Sequence, residues 1–135
     1  MIRHLLDTDT CIALIRRRSE PVLARLKRCP PGSVGISSIT LAELEYGVAR
    51  SSDPARNQAA LIQFCAPLDI MPFGAPACGA YGRVRSALET RGTPAGPLDT
   101  LIAAHALSLP AVLVTNNERE FRRVPGLKVE NWSRR

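Results

Sequence analysis

The chain has 135 residues, 45% of them apolar, and a formal net charge of +6 from 18 lysines and arginines against 12 acids. That length suffices for one core, no apolar run is long enough to cross a membrane, and the opening stretch before Asp7 is too short in apolar residues for a secretory leader. Four cysteines without a C-x-x-C pair argue against zinc and disulfides, and an aromatic content of 4% argues against base stacking as the basis of recognition. The expectation is a single domain over residues 1–135 in a reducing cytoplasm, with no membrane association and with Cys11, Cys65 and Cys78 as buried free thiols.

Residues 2–6 form a short apolar run that reads as a buried first strand whose carboxyl end delivers Asp7 to a turn. A helix follows, with Thr10 as a candidate cap and Cys11, Ile12, Leu14 and Ile15 on its buried side. Ser19-Glu20-Pro21 starts a second helix bearing Val22, Leu23 and Leu26. After the turn at Cys29-Pro30-Pro31-Gly32, Val34-Gly35-Ile36 reads as a strand, and residues 37–50 as a helix with Leu41, Leu44 and Val48 inward and Glu43 near its positive end. Asp53-Pro54 opens a helix with apolar positions at Ala59, Leu61, Ile62 and Phe64. Residues 68–72 suit a short edge strand, because Pro72 cannot donate to a ladder. Residues 75–90 are helical, 91–97 break the chain, and Pro97 begins a helix that carries Asp99 in its first turn. Residues 111–114 are the clearest buried strand, Thr115-Asn116-Asn117 its polar exit, and residues 127–130 a last strand.

Strands alternating with helices predict an α/β fold, a central and mostly parallel sheet flanked by helices on both faces, with its site in the crevice beyond the strand carboxyl ends. Asp7, Glu43 and Asp99 all fall at seams that such a fold gathers along one edge. Hard oxygen ligands without a matching His or Cys set favour Mg²⁺ or Mn²⁺, and three crowded carboxylates stay ionised only beside a cation. Asn117 offers a neutral amide ligand or a hold on water, and Thr8 or Thr115 can hydrogen-bond the carboxylates. Basic clusters at Arg16 to Arg18, at Arg25, Lys27 and Arg28, around Phe121, and at Arg134-Arg135 tilt the partner toward nucleic acid.

Plainer readings stand beside these. Asp7 also suits a turn, Thr40-x-x-Glu43 a capping box, Asp99 a helix dipole, and Asn116 and Asn117 a turn. His105 reads as a core histidine, and Glu45, Asp69, Glu89 and Glu118 as surface acids. Two other functions also remain open. The string Asp7-Thr8-Asp9-Thr10 matches the opening of haloacid-dehalogenase-type phosphatases, with Asp7 as nucleophile, although no Lys stands between Arg91 and Leu107. A non-catalytic module whose basic surface binds nucleic acid or a partner protein is the other.

Four stretches in order, residues 5–15, 34–48, 92–106 and 113–121, resemble PIN-domain ribonucleases, and among them the VapC-type toxins of toxin–antitoxin pairs. The resemblance covers nearly the whole chain as a single PIN-like domain. It implies a Mg²⁺- or Mn²⁺-dependent endoribonuclease with Asp7, Glu43 and Asp99 as the acidic core and Asn117 at a fourth polar position, and it puts Thr8, Asp9, Thr115 and Asn116 around them. It further implies an RNA substrate such as tRNA, with initiator tRNA cut in the anticodon region, a homodimer, a cognate antitoxin, and operator DNA reached only through that antitoxin. Position 9 is Asp where close members commonly carry Asn, and position 117 is Asn where many PIN nucleases carry Asp.

Overall fold

The computed structural model describes residues 1–17 and 19–133. In chain order its elements are β1 (His4–Leu6), α1 (Thr8–Arg17), α2 (Glu20–Arg28), β2 (Val34–Ser37), α3 (Ser38–Arg50), α4 (Pro54–Cys65), β3 (Asp69–Met71), α5 (Ala75–Thr90), α6 (Pro97–Ser108), β4 (Val112–Val114), α7 (Glu118–Phe121) and β5 (Val129–Glu130). The five strands pair in the order β3-β2-β1-β4-β5, and every pair is parallel. From β1 the chain runs outward to β2 and β3, and from β4 it runs outward the other way to β5. The strand order therefore reverses between β1 and β4, where a parallel sheet opens a crevice at its carboxyl edge.

Alternation along the strands splits the core in two. Leu5 and Leu113 face one layer, built with Ala80, Val84 and Leu88 of α5 and Ile102 to Ala106 of α6. Leu6, Val34, Ile36 and Val114 face the other, built with Cys11 and Leu14 of α1, Val22 of α2, Leu44 of α3 and Leu61 of α4. A sheet covered on both faces needs apolar strands throughout, which is why these segments read as unbroken apolar runs. Gly35 is fixed by its neighbour strand: a Cβ there would stand 2.5 Å from the Asp69 carbonyl oxygen.

Several expectations change. Cys78 is exposed, one position off the inward stripe of Ala77, Ala80, Val84 and Leu88, and Cys65 is half-buried; Cys11 alone of the three is fully buried. Ala59 and Ile62 face outward from α4, whose buried side is Leu61 with Phe64 and Cys65. The one-turn helix α7 appears where the sequence showed only a polar exit. Glu118 is buried rather than superficial, because it accepts from Arg122 at 2.7 Å and from Asn131 at 3.2 Å. His105 is a core residue as expected, with Nδ1 2.8 Å from the Ser37 hydroxyl and with burial holding its pKa below the usual imidazole value. Arg18, Arg134 and Arg135, members of two of the basic clusters, lie outside the described residues.

Candidate active site

Asp7 is the first residue past β1 and is nearly inaccessible. Its backbone N–H donates to the Val114 carbonyl at 3.0 Å, which pins it to the exit of β4 across the crevice. Its Oδ1 accepts from the Thr10 N–H at 2.8 Å, so Asp7 itself caps α1, three residues before the cap expected at Thr10. A carboxylate at the positive end of a helix is partly compensated for its burial. Burial nevertheless pushes its pKa up, against hydrogen bonds from Thr115 and Thr10 that pull it down, with Asp9 adding repulsion.

Asp99 lies in the first turn of α6, as its sequence position suggested. The Thr100 hydroxyl and N–H both donate to the Gly96 carbonyl, at 2.8 and 2.9 Å, and fix the entry to the helix. Its carboxyl is pushed up to about 7 by burial, by the charge and hydrogen bond of Glu120, and by Asp7 and Asp9. Four acids from three parts of the chain thus share one field, and among the described residues no cation is among the groups that set the Asp7 or Asp99 carboxyls.

Glu43 enters differently. Helix α3 starts at Ser38 with Ser37 as its cap, the hydroxyl accepting from the Ile39 N–H at 3.0 Å, so the expected Thr40-x-x-Glu43 capping box does not form. The chain passes from β2 into α3 without a linker, which moves the helix start upstream and carries Glu43 into the second turn. There its Oε1 accepts from the Thr8 hydroxyl at 2.7 Å, and Thr8 also lies 3.2 Å from the Thr40 hydroxyl. Thr8 follows Asp7 directly, so Glu43 is tethered beside the acids.

At the exit of β4, Thr115 is fully buried and accepts the Asn117 N–H at 2.9 Å. The Asn117 amide donates from Nδ2 to Glu120 Oε2 at 2.7 Å, and Glu120 Oε1 accepts from the Gly96 N–H at 3.4 Å. Asn116 and Asp9 are exposed. Glu120, which ties the exit of β4 to the start of α6, was missed in the sequence. Its only signal is its place three residues after Asn117, the spacing of a helix cap and its third residue, which predicts a turn and says nothing of Asp99.

The acids are gathered, but each is engaged by a partner of its own: Asp7 by Thr10 and Thr115, Glu43 by Thr8, Asp99 by Glu120. Among the described residues, no three His, Cys, Asp or Glu side chains stand in positions to hold one ion together. The donor set itself fits a hard divalent cation, being oxygen throughout and crowded, with no neutralising charge among the described residues.

The PIN domain family matches residues 4–127. The chain is 42% identical over 132 residues to the tRNA(fMet)-specific endonuclease VapC of Salmonella typhimurium, covering 98% of this chain and 99% of that one. It is 40% identical to the ribonuclease VapC2 of Rickettsia felis, covering 97% of this chain and 98% of the relative. Two solved structures superpose closely, VapBC2 from Rickettsia felis bound to a promoter DNA fragment at a TM-score of 0.93 and 41% identity, and DNA-bound VapBC from Salmonella typhimurium at 0.94 and 42%. Each covers 98% of this chain and 99% of its own. The chain belongs to the PIN-domain family and, within it, to the VapC ribonucleases. That membership over nearly the whole chain replaces the phosphatase reading of the Asp7 to Thr10 string.

Proposed function

We propose that this chain, a single nuclease domain over residues 1–135, is a Mg²⁺- or Mn²⁺-dependent endoribonuclease toxin that hydrolyses RNA phosphodiester bonds at Asp7, Glu43, Asp99 and Asn117. The observation that supports it is the acidic crevice at the carboxyl edge of the sheet, where burial, together with the carboxylates of Glu120, Asp7 and Asp9, pushes Asp99 up to about 7. Asp7, Asp99 and Glu43 would hold the ion. When bound, a divalent cation lowers the pKa of water and offsets charge on the phosphate oxygens. Thr115 and Thr10 keep Asp7 aimed into the crevice by donating to it. Thr8 sets the reach of Glu43, and Glu120 fixes the Asn117 amide, leaving its carbonyl oxygen available to orient water. Asp9 and Asn116, both exposed, are carried with Thr8 and Thr115 as supporting residues around the acids.

The substrate class we carry over is tRNA, initiator tRNA first, on the strength of the Salmonella relative. An antitoxin partner, with operator DNA contacted through it, is supported by the VapBC complexes. A groove of about 170 Å³ between α1, α3 and α4, lined by Ile12, Ile15, Leu44, Val48 and Leu61 with Glu43 at its margin, offers such a partner an apolar seat next to the acids. We further infer a homodimer acting in the cytoplasm. Four cysteines free of disulfides support the compartment, and among the described residues no helix is long and apolar enough to cross a membrane. Purified protein with Mg²⁺ should cleave a structured RNA, and Asp7→Asn or Asp99→Asn should abolish this. Cleavage that survives both substitutions refutes the site, and intact RNA bound equally with and without EDTA points to the non-catalytic module instead.

A further inference from the structure

Near the amino end of β1, away from the acids, lies a second cleft of about 230 Å³ lined by Arg3, His4, Arg25, Arg28, Ser33 and Trp132, among others. Its charge is lopsided. Arg25 reaches Glu130 at 3.4 Å and lies over the Trp132 ring at 5.2 Å, and His4 Nε2 shares the same Glu130 oxygen at 3.4 Å. Arg3 and Arg28 have no carboxylate partner among the described residues, and both are exposed. The three guanidiniums outweigh one acid, and His4 keeps a buried Nδ1 with no protein partner. Arg28 spends its Nε on the Ala24 carbonyl at 3.3 Å, and a phosphate group matches the remaining forked donors of the two arginines.

We propose that this cleft grips the phosphodiester backbone of the RNA substrate at a distance from the bond that is cut. The proposal rests on the reading of the chain as a protein that acts on RNA. Trp132 is only 1% exposed, so it backs Arg25 and offers no face to a base. The cleft therefore reads backbone charge and not sequence. Arg3 and Asp7 bracket β1, roughly 13 Å apart along an extended strand. Because β1 is covered on both faces, an RNA that occupies both places passes around the helix layers and spans more than the about four nucleotide steps of that straight line. Long or folded RNA engages the cleft, and a trinucleotide around the scissile bond does not.

The test is the paired variant Arg3→Gln with Arg28→Gln, in the full chain. Binding of a fluorescent RNA stem-loop is followed by anisotropy in EDTA across a salt series, so that the reading is independent of cleavage. The variant should bind about tenfold more weakly at low salt, with a log–log salt slope shallower by roughly 1.4 to 1.8, the release expected for two phosphate contacts. Arg3→Lys with Arg28→Lys should recover most of the affinity. With Mg²⁺, KM for the stem-loop should rise and kcat stay unchanged, while trinucleotide turnover is unaffected. An unchanged salt slope overturns the proposal, as does an equal loss in the control pair Arg50→Gln with Arg56→Gln. Weakened capture of polyglutamate with RNA binding intact also overturns it, and assigns the cleft to an acidic protein. If the wild type binds RNA through this cleft yet cuts nothing, the cleft stands and the proposed activity falls.

Discussion

Asp99→Asn should make the metal-free protein more stable while removing its activity. In the folded chain the Asp99 carboxyl titrates at about 7 instead of 3.8. The folded state therefore holds this proton more tightly than the unfolded one, so the group's contribution to stability is present at low pH, falls from near 3.8 onward, and is gone above about 7. At ~1.4 kcal/mol per pH unit the full difference is some 4 kcal/mol. Asp99 is only partly buried and solvent screens such a site, so roughly 1–2 kcal/mol is expected. For a chain of this size that corresponds to a rise of about 4–8 °C in Tm at pH 8, shrinking toward pH 5. Thermal melts by circular dichroism in EDTA measure it directly. Adding Mg²⁺ should then stabilise the wild type by ~2.7 kcal/mol at a hundredfold excess over Kd and raise its Tm accordingly, and the variant's by less. A variant that melts at or below the wild type at pH 8 without metal refutes the burial of Asp99 among Glu120, Asp7 and Asp9.

Thr8→Val deletes the hydroxyl that holds Glu43, a hydrogen bond to a charged acceptor worth about 1.5–3 kcal/mol; kcat should fall roughly 10- to 100-fold, and a full-rate variant would mean that Glu43 needs no such hold. Gly35→Ala should lower stability by about 1–3 kcal/mol, because its Cβ meets the Asp69 carbonyl in the neighbouring strand; an unchanged denaturant midpoint would contradict the close approach of β2 and β3. His105 has its pKa lowered by burial, so the stability it lends is present above the unfolded imidazole value and is lost as pH falls below it. His105→Gln should therefore show a flatter stability profile between pH 7 and 5, read by urea unfolding. Asn117→Asp sets a carboxylate against Glu120 Oε2, now 2.7 Å from the amide, and should lower Tm in EDTA while decreasing the Mg²⁺ concentration needed for half-maximal cleavage, since a cation relieves the added repulsion.

The legible parts of this fold are those that one periodicity decides. Leu5 and Leu6 point to opposite layers, and Ala77, Ala80, Val84 and Leu88 keep one face of α5, so strand and helix identity follow from spacing alone. Asp7 and Asp99 were readable for the same reason, each standing where an apolar run ends or a Pro-started helix begins. What stayed hidden depends on contacts between distant segments. Nothing in residues 37–43 tells whether Ser37 or Thr40 caps α3, because the answer depends on where β2 stops pairing with β3 at Met71. Likewise Glu118 and Glu120 are two residues apart in a polar string, yet one is buried against Asn131 and Arg122 and the other faces Asp99.

Glu120 also gives physical sense to the asparagine at 117. A carboxylate at 117 would stand against Glu120 across a hydrogen-bonding distance, in a crevice that already crowds Asp7, Asp9 and Asp99. The amide removes one charge and supplies a donor to Glu120, whose other oxygen accepts from Gly96 at the start of the Asp99 helix. Asp9 adds charge at the rim while Asn117 withholds it at the exit of β4, so the two positions shift negative charge across the crevice without adding to its total. Metal affinity in such a site depends on the sum of the carboxylates and on how far each can turn. The hydrogen bonds of Thr8, Thr115 and Asn117 set that second quantity, because a carboxylate held by a neutral hydroxyl or amide is released at a cost of about 1–3 kcal/mol when a cation draws it inward.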